Sequence, residues 1–188
     1  FLNKALLQHK ESQLPEAYAL MALMYFHTSR LEGRINALGN LVVLKHQDRS
    51  FWDEELIILG NHYMNKAAFG SRLTSYHLEA AIAYEHCIAP SYEETNWKNI
   101  ISYYDMLYNL NSDPVVYLNR CLVVLELHGP FKALKELDCI KNDPFLQKYH
   151  LYYAIMGSIH QQINLKKQAK AYFEKAILLT KSIPETDL

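Results

Sequence analysis

The densest run of bonding chemistry in the chain is His46-Gln47-Asp48-Arg49-Ser50-Phe51-Trp52-Asp53. It sets an amide, an acid, a guanidinium and an indole side by side where a loop runs into a helix. Asp48 can accept bonds from nearby backbone amides. Arg49 offers a rigid fork of donors for carboxylates or carbonyls. Trp52 can anchor the loop by its ring. Two readings stay open: the cluster pins a loop to the protein body, or it forms a contact surface for another domain. Catalysis has little support, because no nucleophile with an obvious base lies beside it.

Nine histidines raise the question of a metal. They are scattered, they form neither HxxxH nor HExxH, and no CxxC accompanies them, so neither a metal nor a cofactor is expected. His27-x-x-Arg30-x-x-x-Arg34 ends a helix with positive charge, which suits the helix dipole. Asp105 and Glu126 lie on otherwise apolar helical stretches and read as buried acids, with Arg120 and Arg49 as candidate partners. The three cysteines, Cys87, Cys121 and Cys139, are odd in number and sit in apolar helical contexts, as reduced core thiols of a cytoplasmic protein would.

The elements that must position these residues are helical. Half of the 188 residues are hydrophobic and 21% are charged, with a net charge of −1. That composition supports a sizeable core and argues against direct DNA binding by this chain. The longest apolar runs are far shorter than the ~20 residues of a membrane span. The chain opens at Phe1, and we read it as part of a longer protein. Phe1–Lys10 reads as the tail of a helix, and Pro15 as the first residue of the next, which runs to about Arg30. From Glu32 to Ser50 the periodicity stops. Gly39-Asn40 reads as a hairpin or wide turn. Ser50, with Asp53 three residues on, reads as an N-cap for a helix reaching Ala68. Further helices are predicted from Thr74 or Ser75 to Cys87, from Asn96 (capped by Thr95) to Asn109, and over 114–127, 130–140, 143–162 and 166–182. The total is about nine helices with one irregular insert near residues 32–50. Any domain boundary falls near Gly70, dividing 1–70 from 71–188, within what reads as one continuous body.

The last two helix pairs repeat at a spacing of 36 residues: Tyr117 falls on Tyr153, Cys121 on Gly157, Ala133 on Ala169 and Leu137 on Phe173. This is the tetratricopeptide (TPR) pattern, with small residues where two helices cross and a large one filling the gap. Such units stack into an all-α array of antiparallel helical hairpins, an α-solenoid, and usually bind other protein segments.

Beyond the repeat, Ala22-Leu23-Met24, His27-x-x-Arg30, Arg34, Gly39 and Gln47-Asp48-Arg49-Ser50-x-Trp52-Asp53 follow one another in an order that resembles the C-terminal, TPR-like extension of a group of extracytoplasmic-function RNA polymerase sigma factors. Ala80-Ala81-Ile82-Ala83, Thr95-x-Trp97, Tyr104-Asp105, Pro114-Val115-Val116-x-Leu118-Asn119-Arg120 and Glu126-x-His128-Gly129-Pro130 continue the match over nearly the whole chain. It departs at Lys45-His46, where acidic residues are expected before Gln47. The resemblance implies a non-catalytic, cytoplasmic, regulatory module. Its partners would be the sigma regions of the same polypeptide, placed before Phe1, and possibly core RNA polymerase. Gln47, Asp48, Arg49 and Trp52 carry over as the interaction motif. A TPR-like adaptor that binds a peptide or small protein outside transcription is the alternative.

Overall fold

The computed structural model describes residues 15–69 and 72–180, which are all-helical. Among them stand eight α-helices, no β-strand and one isolated antiparallel bridge, Ile35 to Leu41. The expected helix tail at Phe1–Lys10 lies outside the described residues. The chain divides into two compact units, 1–110 and 111–188.

In the first unit, α1 (Pro15–Thr28) packs against both α2 (Glu54–Ala67) and α3 (Ser75–Ile88), so helices on either side of residues 70–71 share one unit. Helix α1 buries Ala19, Met21, Ala22, Leu23 and Phe26. Helix α3 answers with Ala80, Ala81 and Ala83, whose short side chains let the two helices approach. Helix α2 presents Gly60 to the Phe26 ring: a Cβ there would stand 2.5 Å from Cε1 of that ring. Helix α4 (Trp97–Asn111) buries Ile100 and Leu107. It is tied to α3 by Asn99 Nδ2 donating to Glu85 Oε1 at 2.7 Å. Thr74 caps α3 in a reciprocal box with His77. The side chain of Asn96, not Thr95, accepts at the start of α4, from the Asn99 amide. The Thr95 hydroxyl is turned back onto the Ser91 carbonyl.

The second unit holds α5 (Pro114–His128), α6 (Pro130–Ile140), α7 (His150–Gln162) and α8 (Lys166–Leu179), each packed on the next. Asp113 caps α5 by accepting from the Val115 amide at 2.7 Å. Gly129, at φ +80°, makes the reversal between α5 and α6, which Pro130 then restarts. The repeat register is visible in the packing. Cys121, Ala133 and Leu137 are fully enclosed, and Tyr153, Gly157 and Ala169 are buried. A Cβ on Gly157 would lie 2.7 Å from two atoms of the Phe173 ring, so the small and the large residue meet as the repeat requires.

Several expectations are corrected. The 143–162 stretch is not one helix: Asp143 caps a turn, Leu146–Lys148 form a short 3₁₀ helix, and Tyr149 is extended before α7 begins. Asp105 and Glu126 face solvent and are not buried acids. Arg120 pairs with Glu136 at 3.3 Å, and the same carboxylate accepts from the Tyr117 hydroxyl at 2.7 Å. Among the described residues the buried acid is Glu85, which accepts from Asn99. Cys139 is exposed, whereas Cys87 and Cys121 are core thiols as expected.

Candidate functional site

The insert between α1 and α2 is a loop closed at its base and folded on itself. The Asp53 amide donates to the Ser29 carbonyl at 2.9 Å, joining the two ends. The Val42 amide bonds the Arg34 carbonyl, and Asn36 receives the amides of Leu38 and Asn40 on its side chain. Gly39, at φ +83°, sits in this turn, as the Gly39-Asn40 pair suggested. The apolar run 41–44 does not become a strand. It passes into a 3₁₀ turn, Leu44–His46, followed by a second, Arg49–Phe51.

Within this loop the 47–52 element is wired residue by residue. Gln47 donates its amide to the Val42 carbonyl at 2.9 Å and accepts a long bond, 3.4 Å, from Arg30. Asp48 caps the second 3₁₀ turn by accepting from the Ser50 amide at 2.9 Å. That backbone bond, followed by the Ser50 hydroxyl, holds its carboxyl below the usual range. Arg49 Nη1 donates to the His86 carbonyl on α3 at 2.6 Å, fixing the loop to the helical body. Trp52 is buried, and the guanidiniums of Arg49 and Arg30 lie over its ring at 4.4 and 5.1 Å from the centroid. Gly33 lets the indole in: a Cβ on residue 33 would stand 2.9 Å from Trp52 Nε1. Asp48 and Phe51 face outward. The N-cap of α2 is Asp53, which accepts from Leu56, and not Ser50, which lies inside the second 3₁₀ turn.

The electrostatics are those of buried positive charge. Arg30 is 7% exposed, and burial lowers its pKa to about 10, with Arg34 and Arg49 pushing the same way and Cys87 opposing. His86 is 9% exposed, and burial, then Arg30 and Arg49, lower it to about 3. His27 is exposed on its outer side, and only the inner edge of the ring is covered. Burial of the rest of the ring, then Arg34 and Arg30, bring it to about 4, and its Nδ1 lies 3.0 Å from Arg34 Nη2. His27 is therefore a neutral acceptor at the end of α1, and the positive charge expected of it there comes from the arginines alone. The contribution of His86 and Gly33 escaped the sequence reading. Gly33 was countable as a loop glycine, but nothing in its spacing announced an indole beside it.

Two shallow clefts flank the element. One, of about 350 Å³, runs between residues 44–49 and the 90–93 segment that leads into α4. The other, of about 480 Å³, is lined by Ile35, Ala37, Val42 and Phe51 among others. Among the described residues no group of three His, Cys, Asp or Glu side chains could hold a metal ion. Nor is any described helix long and apolar enough to cross a membrane.

Comparison with known proteins places this loop inside a matched segment. Residues 1–68 match the model of a family of unknown function, DUF6596. Over 171 residues the chain is 33% identical to an uncharacterized protein of Rhizobium meliloti (strain 1021), an alignment that takes in 91% of this chain. The chain spans 40% of the length of that curated relative. No solved structure matches it.

Proposed function

We propose that the chain is a regulatory interaction module of an alternative sigma factor, docking on the sigma regions of the same polypeptide and so supporting or controlling transcription initiation. The observation that carries this reading is the build of the 47–52 element. Arg49 and Trp52 lock it to α1 and α3, while Asp48 and Phe51 are left on the outer side. A loop used only as a strap has no need of an exposed aromatic on a fixed turn; a docking surface does. The element also lies wholly within the segment matched by the family model, and the relative is far longer than this chain, leaving room for further domains. The sequence resemblance supplies the sigma assignment.

The test is a promoter–reporter assay with the full-length protein carrying Gln47→Ala or Phe51→Ser, paired with thermal unfolding of this chain bearing the same changes. Lost transcription from variants that melt normally supports the reading. Full transcription from both folded variants refutes it. The helical hairpins of 114–179 favour a second reading, a TPR-like scaffold for a peptide outside transcription. Binding of such a peptide with no effect of the 47–52 substitutions on transcription would favour it.

A further inference from the structure

The outer side of the insert is apolar where a loop is usually polar. Leu31, Ile35, Leu38, Leu41, Val43 and Phe51 are all exposed, Leu38 at 85% and Phe51 at 60%. Apolar residues converge there: Ile35, Ala37, Val42 and Phe51 line the cleft of about 480 Å³. The isolated bridge sets Leu41 opposite Ile35, which puts the two side chains on one face. The backbone beneath them is fixed. The Val42 amide bonds the Arg34 carbonyl at 2.8 Å, and the Asn36 amide bonds the Asn40 carbonyl at 3.0 Å. Clustered apolar groups left exposed on a fixed backbone mark a contact surface. The cleft is also acidic. Its lining includes Glu32 and Asp48, both exposed, and neither lysine nor arginine; His46 is the other ionisable group on it. Arg34 is turned onto His27, Nη2 to Nδ1 at 3.0 Å, and Lys45 lies over the Tyr92 ring on the side of the other cleft.

We infer that this face receives a segment of the same polypeptide lying outside residues 1–188, one that sets apolar side chains between lysines or arginines. The apolar floor takes the anchoring side chains. Glu32 and Asp48 attract the flanking cations and repel an acidic segment or a nucleic acid. The size of the face decides for a tethered occupant. A cleft of about 480 Å³ admits a few side chains, whereas a free partner must bury about 1,000 Å² or more to stay bound. A segment of the same polypeptide is held at an effective concentration of about millimolar and needs far less. The relative shows the room for one, since this chain spans 40% of its length. The inference rests on reading the insert as a docking surface, and it adds where the partner sits and what chemistry it carries.

The test uses the full-length protein with the photo-crosslinking residue p-benzoylphenylalanine in place of Phe51 or of Leu38, both exposed. The product is mapped by mass spectrometry of its peptides. Irradiation should give a monomeric product in which both positions capture one segment from outside residues 1–188, with lysine or arginine beside the captured residue. Glu32→Lys, at an exposed position, should lower the yield severalfold. Asp48→Asn keeps an oxygen to cap the second 3₁₀ turn and should lower the yield less; it decides the matter if Glu32→Lys unfolds. No capture at either position, capture only between two copies, capture of a segment without lysine or arginine, or an unchanged yield in the folded charge variants would each overturn the inference. The crosslink involves no transcription. Capture with an unimpaired reporter would sustain the inference and sink the regulatory reading, and failed capture with lost transcription would do the reverse.

Discussion

Replacing Gly157 tests the packing of the second unit at its tightest point. A Cβ there would stand 2.7 Å from Cδ1 and Cε1 of Phe173 and 3.1 Å from Cγ, closer than carbon atoms pack. Two effects compete. Alanine is a better helix former than glycine by about 1 kcal/mol. Against that, the ring must move, and overpacking of a closed contact costs about 1–3 kcal/mol. Phe173 is only half-buried, so its ring can swing outward and part of the strain is relieved. Gly157→Ala should therefore be destabilising by about 1 kcal/mol, and Gly157→Leu by about 3. In a unit of this size each kcal/mol lowers the melting temperature by about 4–8 °C. Gly60 is the internal comparison. Its virtual Cβ meets the Phe26 ring at 2.5, 2.7 and 3.0 Å, and Phe26 is 0% exposed with nowhere to go. Gly60→Ala should thus cost more than Gly157→Ala. Thermal unfolding by circular dichroism, with Phe173→Leu as the relieving partner in a double-mutant cycle, measures the contact directly. Strict additivity of Gly157→Leu and Phe173→Leu, or an unchanged melting temperature, would refute the register.

Asp53→Ala should cost about 1 kcal/mol through loss of the α2 cap, whereas Ser50→Ala should leave the melting temperature nearly unchanged. The folded protein holds His86 neutral to about pH 3, and His27 to about 4, while the unfolded chain takes up those protons near 6.5. The unfolded state thus binds more protons in that window, so stability falls as the pH drops from 6.5 toward 4. The His86 ring stands edge-on to Trp97, 5.4 Å between centroids; in His86→Phe, which keeps a ring there, chemical denaturation across that range should show a shallower fall, and an identical pH profile refutes the assignment. Cys139 is exposed and should react with a maleimide in the native protein. Cys87 and Cys121 should not react until it unfolds, because burial raises both thiols, Cys121 to about 12. Three labelled sites under native conditions, counted by mass spectrometry, would contradict the core.

What could be read from the sequence was what the chain punctuates. Helix α6 has the predicted bounds because Gly129 and Pro130 open it and turn residues follow it. The repeat register emerged because alanine and a large residue recur at fixed offsets. The start of α7 differs because Asp143-Pro144 reads as the opening of a helix, whereas the turn it opens closes after Lys148 with Leu146 fully buried, and Tyr149 is extended. Ser50 and Asp53 are both good cap residues by type; in the structure Asp53 accepts from the Leu56 amide while Ser50 lies inside the preceding 3₁₀ turn. On helices apolar nearly all round, the pattern does not say which polar residue faces inward: Asp105 and Glu126 read as buried but are exposed, and Glu85 is buried. At the 47–52 element the sequence showed which groups are present, but the partner atoms, such as the His86 carbonyl, come from a helix more than thirty residues away.

The two indoles of the protein, Trp52 and Trp97, both belong to the unit spanning 1–110, and the unit from 111 onward has none. Intrinsic fluorescence excited at the indole band therefore reports on one half of the molecule, while ellipticity sums the helices of both. Superimposable melts by the two probes would show one cooperative transition, and divergent ones would show each unit unfolding on its own. The placement of two side chains thus equips the native protein, without any label, to reveal whether its halves share a single folding equilibrium.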